Sequence, residues 1–125
     1  MRGIAFYFFV AAVICVTIGM AWGIIMAATN DHLLAPAHAH LNLVGWVTMA
    51  LFGLYYHVTP KAAASGLPRI HFGLAILGVV TMVPGIAIVI VTENPILAII
   101  GSLLTISSML VFLYTVWTNG LGSEG

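Results

Sequence analysis

Apolar residues in this chain come in long unbroken runs rather than in alternation. Four runs stand out, at 4–28, 34–58, 70–92 and 95–118, separated by short polar stretches. Unbroken runs predict helices, not the alternating strands of a membrane barrel. Each run holds the roughly 20 residues needed to cross a hydrocarbon core of ~30 Å. The breaks contain turn formers: Thr29-Asn30-Asp31-His32, then Thr59 to Leu67 with Pro60 and Gly66 inside and Pro68 after it, then Glu93-Asn94-Pro95. Connections this short place consecutive helices antiparallel. The pattern predicts an all-α membrane protein, a four-helix up-down transmembrane bundle in one domain over 1–118, followed by a short polar, glycine-rich tail at 119–125 expected to be disordered. The first run exceeds 20 residues and no small-residue cleavage site closes it, so it is expected as a span rather than a leader. Pro84-Gly85 is expected to bend the third span and to act as a packing device.

Composition supports this reading. The chain is 62% hydrophobic and 5% charged, with a mean hydropathy of +1.19. That charge is about a fifth of what a soluble domain carries. The surrounding partner is therefore membrane lipid. A net charge of zero gives a nucleic-acid partner no electrostatic support. The single cysteine, Cys15, lies inside the first run, reads as a small packing residue, and allows no disulfide within the chain. Arg2, Lys61 and Arg69 fall on one side of the four-span scheme, and Asp31 and Glu93 fall on the other. By the positive-inside rule both termini are cytoplasmic and the protein is a multi-pass protein of the inner (plasma) membrane.

The candidate chemistry is in the second run, where residues 37–57 read AHAHLNLVGWVTMALFGLYYH. Imidazoles are costly in a span without partners, and iron, copper and zinc are strong partners. His38 and His40, two residues apart on a helix, point about 200° apart. They cannot be the two axial ligands of one metal, but each could serve a site on its own flank. The His38 flank continues through Asn42, Gly45, Met49 and Gly53, where the glycines admit either a flat ligand or another backbone. The His40 flank continues through Val44, Val47, Leu51 and Leu54 and could wall a porphyrin. The alternative reading of the same residues is a small-residue packing face with interfacial histidines. His32 is a weaker candidate ligand. His57 and His71 are expected at the opposite membrane interface, making ordinary hydrogen bonds, with Tyr56 the only neighbouring ligand type. Without a C-x-x-C-H motif there is no covalent c-type haem, and six scattered methionines give no copper-carrying cluster.

The segment AHAHLNLVGWVTMALFGLYYHVTP resembles two helices of the large catalytic subunit of haem-copper oxidases and nitric oxide reductases. One carries an H-x-H pair followed by Gly and Tyr-Tyr; the other carries H-x-N-Leu followed by Tyr-Tyr and Pro. The matching residues are His38, His40, Asn42, Leu43, Gly53, Tyr55, Tyr56 and Pro60, on one helix of four. The resemblance implies that His40 is an axial ligand of a low-spin haem and that His38 is a ligand of a high-spin haem iron. It also implies a homotrimer, since the family subunit looks like three arcs of four helices. Each second helix would then offer His38 to one neighbouring cleft and His40 to the other. This sequence departs from the family in lacking its copper-binding histidines and its outer-face arginines.

The expectation is a b-type cytochrome for electron transfer or for binding or sensing a diatomic gas, with non-covalent haem b and an unidentified redox partner. Cofactor contacts would fall to His38, His40, Asn42, Gly45, Met49 and Gly53. A redox carrier is favoured over a turnover enzyme, with copper a lesser expectation than haem. The alternatives are a minimal oxygen or nitric oxide reductase, and a metal-ion or haem permease.

Overall fold

The computed structural model describes residues 1–123 and shows four long antiparallel apolar helices joined by tight turns, with no strand among the described residues. They are α1 (Gly3–Thr29), α2 (Ala35–Val58), α4 (Leu67–Thr92) and α5 (Ile96–Asn119), all long and apolar enough to span a membrane. A single turn, α3 (Pro60–Ala63), lies between α2 and α4. Four of the five prolines mark helix starts: Pro36, Pro60 and Pro68 sit in first turns and Pro95 caps α5. There the missing N–H costs nothing and the fixed φ suits the helix. Two ends are closed by a left-handed residue, Asn30 (φ 58°) after α1 and Glu93 (φ 64°) after α4.

Two helix pairs build the bundle. In the pair α4–α5 the close approach is made at Gly85 and Gly101. A methyl group on Gly85 would sit 2.5 Å from the backbone nitrogen of Ala98, and one on Gly101 would sit 2.5 Å from Met82 Cα. Backbones this close gain dispersion contacts that lipid cannot match. Gly85 is thus the packing device expected of Pro84-Gly85, and α4 runs unbroken through Pro84. In the pair α1–α2, Gly53 lies against Ala5, Phe8 and Phe9, and Gly45 against Cys15.

α2 is not a uniform α-helix. Leu41–Thr48 is π-helical, between α-helical Ala35–His40 and Met49–Val58. The wider turn carries buried positions at four-residue steps, Leu41, Gly45, Met49 and Gly53, and exposed ones at Leu43, Val47, Leu51 and then Leu54. An α-helical wheel mis-sets this register: Val44 is half-buried and Leu43 takes its place on the outer row.

All four spans meet in the half of the bundle that carries Arg2, Lys61 and Arg69. Phe8 from α1, Phe52 and Tyr56 from α2, and Phe112 from α5 surround His71 of α4, which is 0% exposed. The chain end closes this region. Tyr55 Oη donates to the Gly120 carbonyl at 2.7 Å, and the Gly122 amide donates to Thr59 Oγ1 at 2.9 Å. The start of the tail is therefore held against the end of α2, by Tyr55 within it and Thr59 just after it. The last two residues of the expected 119–125 tail lie outside the described residues.

Candidate functional site

His38 and His40 do diverge. His38 turns inward to α1, where its Nε2–H donates to the Gly19 carbonyl at 2.9 Å. A carbonyl can only accept, so Nε2 carries the ring hydrogen. The ring stands edge-on to Trp22, with centroids 5.7 Å apart and planes at 90°, and it fits because Gly23 carries no side chain. Asn42 follows one turn later, 3.3 Å from the same nitrogen. The atom nearest Nε2 is Asn42 Nδ2, and since Nε2 gives its one hydrogen to Gly19 it has no lone pair to accept from that amide. Asn42 Oδ1 is buried without a partner. Asn42 also lies directly against Gly19, where any larger residue would collide with it.

The flank expected to cradle a cofactor is therefore occupied by α1. Asn42 meets Gly19, Gly45 meets Cys15, Gly53 meets Ala5 and Phe9, and Met49 is buried in the core. The space the glycines leave is filled by α1 itself, by its backbone at Gly53 and by the Cys15 side chain at Gly45.

His40 has the opposite setting. It is exposed, and its Nδ1–H donates to the Pro36 carbonyl at 2.7 Å. This bond fixes the tautomer and the ring, leaving the Nε2 lone pair free. An imidazole whose other nitrogen is tied to a carbonyl is the usual form of a metal-ligating histidine. His40 is six residues into α2, about 8 Å from its start. Beyond it runs the outward apolar row Leu43, Val47, Leu51 and Leu54. The π-helical segment begins at the next residue, and such segments are frequent at functional sites.

His32 is exposed in the turn after α1, and His57 is exposed near the end of α2. His71 is packed inside the bundle rather than on its surface, in the second turn of α4, which starts at Leu67. Its Nδ1 lies 2.8 Å from Tyr56 Oη. The phenol donates that bond, so Nε2 carries a hydrogen, and Nε2 is buried with no polar partner. It is enclosed by phenyl rings, with Phe52 at 4.3 Å, Phe8 at 4.9 Å and Phe112 at 5.6 Å between centroids.

Among the described residues no three His, Cys, Asp or Glu side chains converge on a point that could hold a metal ion. A groove of about 490 Å³ runs between α1 and α4, lined by Ile14, Cys15, Ile18, Trp22, Val79 and Val83 among others. Its walls are apolar, which suits a lipid chain. The His38 flank is filled by α1 as folded, whereas His40 keeps a free imidazole nitrogen on an exposed apolar face.

No protein-family model, no curated protein and no solved structure matches the chain. Sequence and geometry together establish a small all-α bundle of four membrane-spanning helices.

Proposed function

We propose that this bundle is a b-type membrane cytochrome that serves as an electron carrier, in which His40 would hold the haem between copies of the chain. The observation that carries the reading is the state of His40. It is an exposed imidazole within a span, tied at Nδ1 to Pro36 and with Nε2 free. Exposed to lipid such a nitrogen is costly, and a metal held by a neighbouring copy relieves that cost. Held there, a haem would supply one-electron chemistry. The chain's own part is to fix the ring of His40 and to exclude water with the row Leu43, Val47, Leu51 and Leu54.

The second ligand depends on the assembly. In the homotrimer implied by the resemblance to haem-copper oxidases, it is His38 of the next copy, which must then exchange its Gly19 bond for iron. In a two-fold pair it is the second copy's His40, which needs no rearrangement. The Gly19 bond favours the pair. The experiment is to purify His38→Ala and His40→Ala separately and measure bound haem per chain. The pair requires that His38→Ala keeps its haem and His40→Ala loses it. The trimer requires that both lose every two-histidine site and that a mixed trimer of the two regains one. Retention of two-histidine haem by His40→Ala would exclude both.

A further inference from the structure

The basic end of the bundle carries a second candidate site, separate from the histidines. Two adjoining hollows of about 360 and 380 Å³ lie between the start of α1 and the turn leading into α4. Gly3, Ile4 and Arg69 line both. Ala63, Ala64, Ser65, Gly66 and Pro68 complete the first. Tyr7 and Phe72 complete the second, with ring centroids 6.3 Å apart. A polar seat thus adjoins an apolar trough, and a guanidinium stands where they join.

Among the described residues the side-chain charge around it has one sign. Arg2, Lys61 and Arg69 are the only lysines and arginines in the chain, and all lie at this end. The carboxylates among the described residues, Asp31 and Glu93, lie at the other end. Arg69 and Glu93 are separated by nearly the whole of α4, about 36 Å along the helix. The Debye length is about 8 Å at physiological salt, so Glu93 does not neutralise Arg69. α1 also begins here with no side-chain cap and no acidic residue in its first turn.

We infer that this cleft seats an anionic phospholipid, its phosphate on Arg69 and Ser65 and an acyl chain along Tyr7 and Phe72. Basic pockets between spans select acidic headgroups, and a guanidinium grips phosphate oxygens in a fork. A free phosphate would use the polar hollow alone and leave the aromatic trough without an occupant. A phospholipid uses both, and its two parts meet where Arg69 stands.

The test uses the full chain in lipid nanodiscs of phosphatidylcholine with or without phosphatidylglycerol, followed by native mass spectrometry of retained lipid. The wild type is expected to retain phosphatidylglycerol in preference to phosphatidylcholine. Arg69→Gln should lower that preference about fivefold, the worth of one basic residue at a membrane surface. Lys61→Gln removes the same charge outside the cleft and should change it less than twofold. Tyr7→Ala should weaken lipid retention while leaving the circular dichroism helix signal intact. Equal retention of the two lipids would overturn the inference. So would equal losses in Arg69→Gln and Lys61→Gln, which would mean diffuse surface attraction. Displacement of the lipid by millimolar inorganic phosphate would also overturn it, by making the seat a free-anion site.

Discussion

Removing the Tyr56 hydroxyl tests the convergence of the four helices. Tyr56→Phe deletes the donor 2.8 Å from His71 Nδ1 in a place where neither residue touches solvent. His71 Nε2 already lacks a polar partner, so the variant leaves both ring nitrogens buried and unpaired. Interhelical hydrogen bonds in membrane proteins contribute about 0.6 kcal/mol on average and about 1.7 at most, because the unfolded chain in the membrane also finds partners. Here the phenyl rings of Phe8, Phe52 and Phe112 fill the space an alternative partner or water would need. The cost should therefore fall near the upper value. His71→Leu should cost a comparable amount by orphaning the phenol, with some added loss of aromatic contact. The double variant has no orphaned group at the pair and should cost less than the sum, by about 1 to 1.7 kcal/mol. Unfolding in mixed micelles, followed by tryptophan fluorescence, measures all four corners of this cycle. Strict additivity would refute the reasoning, since it would mean that Tyr56 and His71 do not depend on one another.

Other expectations follow from particular contacts. Gly85→Leu should separate α4 from α5 and cost more than the ~1–3 kcal/mol of ordinary overpacking, because the added atoms meet the Ala98 backbone rather than a movable side chain; denaturation midpoints check this. Truncation after Asn119 removes the Gly120 carbonyl from Tyr55, leaving it the longer 3.4 Å bond to Thr115, and removes the Gly122 amide from Thr59. It should destabilise the fold by about 1–3 kcal/mol while Trp117, 85% exposed, keeps its emission. Reporter fusions after residue 62 and at the C-terminus should both be cytoplasmic, and a fusion near Asn30 external, as the placement of Arg2, Lys61 and Arg69 requires; an odd number of crossings would contradict this.

Much of the fold was legible because its signals are local. Run length and turn chemistry place the four spans to within three residues, with prolines at helix starts and Asn30 and Glu93 at ends. The opposed directions of His38 and His40 follow from helix geometry alone. What lies beside each histidine does not, because it depends on which helix arrives there. Gly45 and Gly53 announce a close approach without saying whether a cofactor or a backbone makes it; α1 makes it. The π-helical turn has no clear signature in Leu41–Thr48, so the register beyond His40 was half a step off. The enclosure of His71 is not legible either, because its neighbours Phe8, Phe52 and Phe112 come from three other helices. Its pairing with Tyr56 joins residues 15 apart in sequence through two helices, and only the packed bundle reveals it.

The claim that His40 binds haem between copies is tested most directly by one comparison. Wild type and His40→Ala, expressed with haem supply and purified in lipid nanodiscs, are examined by reduced-minus-oxidised absorption spectroscopy. The expected result is a split low-spin band system in the wild type, with haem extractable by acid acetone, and its absence or conversion to a high-spin spectrum in His40→Ala. A wild type that stays colourless after reconstitution, or a His40→Ala spectrum identical to that of the wild type, would contradict the claim.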